Sequence, residues 1–210
     1  MKLYYSPAAG SLASHITIRE LNLDVDLIKV DLPPIEPSHI TESGEDFLTI
    51  NPKGYVPYLT IDQDTSLSEG TAILLYLADQ IPEGNMSPSE GTSERYKLQQ
   101  WLTFVGTEIQ RLLGLFFVPH FYTNEGLEFF KAKLQARLGI MDNHLADNEY
   151  LMRTNYTIAD AYAFAILNWI PQYDLNFVDM SSHKNLGAYL DKIRYREAVQ
   201  TALKEEGLLE

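Results

Sequence analysis

The chain has 210 residues, 45% of them apolar, and a formal net charge of −13. Such a chain is repelled by phosphate backbones and anionic lipid surfaces, so neither nucleic acid nor membrane is an expected partner. It contains no cysteine, which excludes disulfides, thiolate metal sites and any mechanism built on a thiol of its own.

The N-terminus, MKLYYSPAAGS, lacks the apolar stretch of a signal peptide, and the longest apolar run, LLGLFFV from Leu112, is too short to span a bilayer. A soluble, cytoplasmic protein is expected. KLYY (2–5) reads as a strand and 12–21 as a helix, with Leu12, Ala13 and Ile16 inward and Arg19 and Glu20 outward. A second strand is expected over 25–30, followed by an irregular stretch enforced by Pro33, Pro34 and Pro37. Strands over 58–61 and 66–67 then lead into a helix over 69–79 that is apolar on most sides and must pack against a sheet. The order is βαβ, then ββα.

Residues 82–93, PEGNMSPSEGTS, carry no periodicity and read as a linker between a first domain (1–81) and a second (94–210). Beyond it the pattern is helical throughout. Leu98, Trp101, Val105, Ile109 and Leu112 mark one long amphipathic helix, and Leu127, Phe130, Leu134, Leu138, Met141 and Leu145 mark another. A third helix over 157–169 opens with TIAD, in which Thr157 and Asp160 can cap each other's backbone N–H. Shorter helices over 184–194 and 196–204 close the bundle. The five histidines show no metal-ligand spacing and read as ordinary surface or partly buried residues.

Three short stretches could carry chemistry. In SPAAGSLAS (6–14) the polar side chain of Ser11 stands where strand gives way to helix. It can cap the helix, or donate a hydrogen bond to a ligand at the positive helix end, or do both. Without GxSxG or a base placed by sequence it is not a nucleophile. In NPKGYVPYL (51–59) Pro57 opens a strand. A cis Val56–Pro57 bond would offer the N–H and C=O of Val56 to a strand-like ligand, although base rates alone favour trans. In LSEGTAILLYLADQ (67–80) Ser68, Glu69 and Gly70 open a helix whose free N–H groups suit a carboxylate.

In their order and spacing these stretches, together with TIADAY (157–162), resemble the cytosolic glutathione transferases, and within them the bacterial beta class. The resemblance covers nearly the whole chain. It implies an α/β plus all-α architecture, with a thioredoxin-like N-terminal domain followed by an all-helical C-terminal bundle, in a homodimer. It implies glutathione as co-substrate, no metal, and a small hydrophobic electrophile as second substrate. Val56, before a cis Pro57, would pair with the cysteinyl backbone of glutathione, Gly10 and Tyr55 would border its site, Glu69 and Gly70 would hold its γ-glutamyl end, and Thr103, Thr107, Glu108 and Gln110 would reach the site from the long helix after the linker. Phe104, Phe116, Phe117 and Tyr122 are candidates for the electrophile pocket, with bundle core as the plainer reading of each.

The chain departs from the pattern. Gly10 stands where beta-class members usually carry cysteine, Gln110 where histidine is usual, and Arg111 replaces a lysine. No lysine occurs near Pro34, where an anchor for the glycyl carboxylate is expected. Thiol–disulfide chemistry through the protein is thereby excluded, whereas transfer to an electrophile is not, because glutathione brings its own thiol. Ser11 and Tyr5 are the candidates to stabilise the thiolate, Ser11 first, and Ser11→Ala is expected to slow conjugation more than Tyr5→Phe. Lowering a thiol pKa of about 8.5 by two units raises the thiolate fraction ~25-fold but weakens each thiolate ~8-fold. Holding the electrophile against the sulfur must therefore supply most of the acceleration. Two alternatives stay open: a glutathione- or ligand-binding protein without catalysis, and a glutathione-dependent isomerase or dehalogenase on the same fold.

Overall fold

The structure, a computed structural model, describes residues 1–33 and 37–209. Pro34, near which no anchoring lysine occurs in the sequence, lies outside the described residues.

The first half runs β1 (Lys2–Tyr5), α1 (Leu12–Glu20), β2 (Asp26–Lys29), α2 (Phe47–Ile50), β3 (Tyr58–Thr60), β4 (Ser66–Ser68) and α3 (Gly70–Asp79). The sheet order is β2-β1-β3-β4, with β1 and β2 parallel and the other pairs antiparallel. Side chains alternate across a strand, so neighbours in KLYY serve opposite layers. Leu3, opposite Leu27 and Leu59, packs with Ile18 of α1 and with Ile73 and Leu77 of α3. Tyr4 faces the other way, against Val30 and Phe47. Tyr5 returns to the α1 side, its ring 5.6 Å from that of His15. The one-turn α2 is absent from the sequence reading because four residues are too few for periodicity. Its signal is Asp46, whose carboxylate accepts the N–H of Leu48 at 2.9 Å.

The second half comprises α4 (Ser93–Phe104), a π-helical stretch (Val105–Gln110), α5 (Arg111–Leu115), α6 (Asn124–Leu145), α7 (Ile158–Leu167), α8 (Trp169–Gln172), α9 (Lys184–Arg194) and α10 (Glu197–Glu205). The single long helix expected through 98–112 is thus interrupted by a wider turn, a feature common at functional sites. The non-periodic segment before α4 is spanned by an ion pair: Arg95 grips Asp79 with two bonds of 2.8 and 2.7 Å. Asp160 reaches back to the N–H of Thr157 at 2.8 Å, and α7, buried along its whole length, forms the axis of the bundle.

One apolar cluster joins the halves. Leu12, Ala13 and Ile16 of α1 belong to the same core as α4, α6, α7, α9 and α10. Because α1 is covered on both flanks, Glu20 does not point outward as expected: its side chain is 13% exposed and takes two bonds from Arg196, at 2.6 and 2.9 Å. Among the described residues no helix is long and apolar enough to cross a membrane. Nor does any group of three or more His, Cys, Asp or Glu stand ready for a metal ion.

Candidate active site

A cleft of about 860 Å³ lies between the two halves. Its first wall begins at Asn51, whose side-chain amide donates to the carbonyl of Tyr55 at 2.8 Å and closes the NPKG turn. Gly54 stands in that turn at φ +66, where an added Cβ would lie 2.9 Å from the side chains of His39 and Leu48. The chain then enters Val56–Pro57, which is cis, and both residues border the cleft. No described hydrogen bond engages the backbone of Val56. After β4 comes Glu69, at φ +71, and then Gly70 at the start of α3. The Glu69 carboxylate accepts from Lys53 Nζ at 2.8 Å, and the same ammonium donates to Ser68 Oγ at 3.2 Å.

The facing wall runs along the end of α4, the π-helical stretch and the start of α5: Thr103, Gly106, Thr107, Gln110 and Arg111. Thr107 spends its hydroxyl on the carbonyl of Thr103 at 2.9 Å. Glu108, expected among them, does not line the cleft. Its position around the π-helical stretch turns its carboxylate to Arg137, at 2.6 Å, whose hydrogen bond holds it below the usual carboxylate range. Phe117 and Trp169 add an apolar border, their rings 5.3 Å apart. Of the four apolar candidates only Phe117 stands there. Phe104 packs on Trp101, Phe116 on Phe177 and Tyr122 on Phe130.

The cleft therefore gathers Gly10, Tyr55, Val56, Pro57, Glu69, Gly70, Thr103, Thr107 and Gln110 of the expected set, and leaves out Ser11, Tyr5 and Glu108. Ser11 is fully buried. Its hydroxyl accepts the N–H of Ser6 and donates to the carbonyl of Ser6, both at 3.2 Å, so it closes the 6–11 loop and does not cap α1. Tyr5 is 8% exposed. Burial and then the nearby carboxylates, Glu206 foremost, push its phenol up. His15, read from sequence as ordinary, is fully buried between Glu206 (3.0 Å) and Glu205 (2.7 Å). Glu206 also accepts the N–H of Ala8 at 3.0 Å, while Trp169 Nε1 donates to the carbonyl of Ala8 at 2.7 Å. The C-terminal half thus holds both polar groups of a loop residue whose φ is +60.

Sequence reasoning missed Lys53, Tyr162 and Trp169. Lys53 lay within a quoted motif. Tyr162 and Trp169 lie in the helix expected over 157–169, and nothing in periodicity tells a core aromatic from one whose tip reaches a cleft. The phenol of Tyr162 donates to Gln110 Oε1 and is pushed up to about 12 by burial and by Glu69.

Two family models match the chain: "Glutathione S-transferase, N-terminal domain" over residues 6–85 and "Glutathione S-transferase, C-terminal domain" over residues 109–197. Glutathione S-transferase GstA of Escherichia coli O157:H7 is 37% identical over 211 residues, covering 99% of this chain and 100% of the relative. A bacterial beta-class glutathione S-transferase from Sphingomonas chungbukensis superposes with a TM-score of 0.89 at 41% identity, over 100% of both chains. A sphingomonad glutathione S-transferase complexed with glutathione superposes at 0.86 with 40% identity, again over 100% of both.

Proposed function

The chain belongs to the glutathione S-transferase family, with a thioredoxin-like N-terminal domain followed by an all-helical C-terminal one, and on that footing we propose that it joins the thiol of glutathione to small hydrophobic electrophiles. The observation that carries this reading is the cleft itself, which sets Val56, Glu69 and Gly70 opposite Thr103, Thr107 and Gln110. The unengaged backbone of Val56 suits the cysteinyl residue of the tripeptide, paired as a short added strand. The Glu69 carboxylate suits the γ-glutamyl ammonium, and the N–H groups at the start of α3 suit its carboxylate. Lys53 sits where that ammonium would compete for Glu69. A non-glycine residue held at positive φ beside a cleft is the kind of strained position that function maintains.

In the reaction the glutathione sulfur attacks an electrophilic carbon. A carbon–sulfur bond forms, and either a leaving group departs with its electron pair or an activated double bond takes up a proton. Phe117 and Trp169 supply apolar surface to hold the electrophile. With no cysteine in the chain, a mixed disulfide with the protein cannot form. The cellular setting proposed is the cytoplasm and the assembly a homodimer, which light scattering tests.

Calorimetry with glutathione, run beside conjugation assays with several electrophiles including an aryl halide, tests the function. Binding at up to millimolar concentration with turnover supports it. Binding without turnover would turn the protein into a glutathione carrier, the alternative that the joint absence of the usual cysteine and histidine motivates. No binding would remove both.

A further inference from the structure

We propose that Gln110 donates a hydrogen bond to the sulfur of bound glutathione and that Tyr162 positions its side-chain amide to do so. The inference rests on the glutathione-transferase reading of the cleft.

Gly10 is the residue of the 6–11 loop that borders the cleft, whereas Ser11 behind it is sealed off. A thiol approaching the start of α1 therefore meets the chain at Gly10. Beside that point stand Gln110 and Ile166: an added Cβ at Gly10 would lie 3.3 Å from Gln110 Nε2 and 3.6 Å from Ile166 Cδ1, so Gln110 is the polar neighbour. The amide nitrogen thus faces the space that the absent side chain leaves open. The Ser11 hydroxyl is used twice by Ser6, and Tyr5 is buried behind the loop, so neither is set to turn a donor toward this space.

An amide can present either end, and Tyr162 decides which. Its phenol comes up from α7, 5% exposed, and donates to Gln110 Oε1. With the amide reversed, the buried phenol proton would lose its acceptor, a cost of about tenfold or more in the population of that state. The phenol stays protonated throughout any working range, being held near 12 by burial and by the charge of Glu69. Gly106 completes the arrangement: a Cβ there would lie 3.1 Å from Tyr162 Oη, so the close approach of the phenol uses a bare backbone. The charged groups that share the cleft are Arg111 and the Lys53–Glu69 pair. Among the described residues none of them is hydrogen-bonded to the Gln110 side chain, whose described partner is Tyr162, which leaves its N–H as the donor beside Gly10.

The test uses the full chain with glutathione bound, and reads the thiolate by its ultraviolet absorbance across pH, together with the pH profile of kcat/KM toward an aryl halide. Gln110→Ala should lower the thiolate fraction near neutral pH about tenfold and move the profile upward by about one unit, the loss of one hydrogen bond to a charged atom. Tyr162→Phe should move both in the same direction by about threefold, and the double variant should match Gln110→Ala alone, because the phenol acts through the amide. Gln110→Glu, which keeps the shape and removes the N–H donors, should lie above Gln110→Ala. Circular dichroism reports whether each variant folds, and Gln110→Glu decides the matter if the alanine variant does not. An unchanged thiol titration in a folded Gln110 variant that still binds glutathione, or strictly additive effects of the two substitutions, overturns the inference while the transferase reading stands. Failure of the unsubstituted protein to bind glutathione overturns the transferase reading and this inference with it.

Discussion

At Glu69 two requirements collide in one residue. Its carboxylate faces the cleft, yet its backbone stands at φ +71, ψ 113, which residues with a Cβ adopt at a cost of order 1–3 kcal/mol. Glycine takes that conformation freely. Glu69→Gly should therefore be more stable than Glu69→Ala by about 1 kcal/mol in urea denaturation, while both lose glutathione affinity by calorimetry. Equal stability of the two variants would show that the backbone there carries no strain. Gly54 is the converse case, with positive φ and neighbours at 2.9 Å. Gly54→Ala should cost about 1–3 kcal/mol and weaken glutathione binding as well, because the turn it occupies delivers Val56. From the sequence this stretch yielded only a proline opening a strand; that Gly54 stands in a turn packed against His39 and Leu48 is a result of the fold.

Among the elements, α7 shows how a short motif can hold a large structure. TIAD was readable as a cap, and Asp160 does accept the N–H of Thr157. The structure adds what spacing cannot show: Asp160 also accepts the N–H of Leu151 at 2.8 Å and the hydroxyl of Tyr189 at 2.8 Å, and is fully buried. Burial raises its carboxyl, and the donors around it oppose that rise. Asp160→Ala strands several buried donors together and should destabilise by about 3–5 kcal/mol in chemical denaturation. A loss below 1 kcal/mol would mean that water replaces the carboxylate. The cleft-facing helix teaches the opposite lesson. Its apolar positions predicted continuous α-helix, and the wider turn at Val105–Gln110 did not appear, because periodicity averages over a local change of register.

Across the whole molecule one apolar cluster spans both halves, and α1 lies within it. His15 and the 6–11 loop are held by Glu205 and Glu206, about 190 residues further along the chain. Glu206→Ala would leave a buried His15 nitrogen and the Ala8 N–H unpaired, at a cost of about 2–4 kcal/mol. Near-ultraviolet and far-ultraviolet dichroism should then still trace one unfolding transition, at lower urea. Two separated transitions would show that the halves fold independently. Alkaline pH offers a second test. Burial raises the phenols of Tyr156, Tyr162 and Tyr189, that of Tyr162 from an ordinary 10 to about 12. Above pH 10 the unfolded chain sheds protons that the folded chain retains, so stability is full below 10 and falls as pH rises through the folded values. Tyr162 alone accounts for about 3 kcal/mol of that fall. Tyrosinate absorbance should show these three appearing together with unfolding; their smooth ionisation in the folded protein would contradict the burial.

The four strands, α1, α3 and the long helices of the second half, the absence of a protein thiol and the motifs that carry Val56, Glu69 and Gly70 were present in the linear chain. Local forces determine them: alternation, helical periodicity, turn chemistry and the missing cysteine are properties of neighbours in sequence. The destination of each polar tip was not. Ser11 turned inward to Ser6, Glu108 turned away to Arg137, and Tyr162 reached across from another helix to Gln110, because those outcomes depend on which distant surface packs against a residue. Long-range packing decided them, and it is also what placed an amide where the sequence had suggested an alcohol.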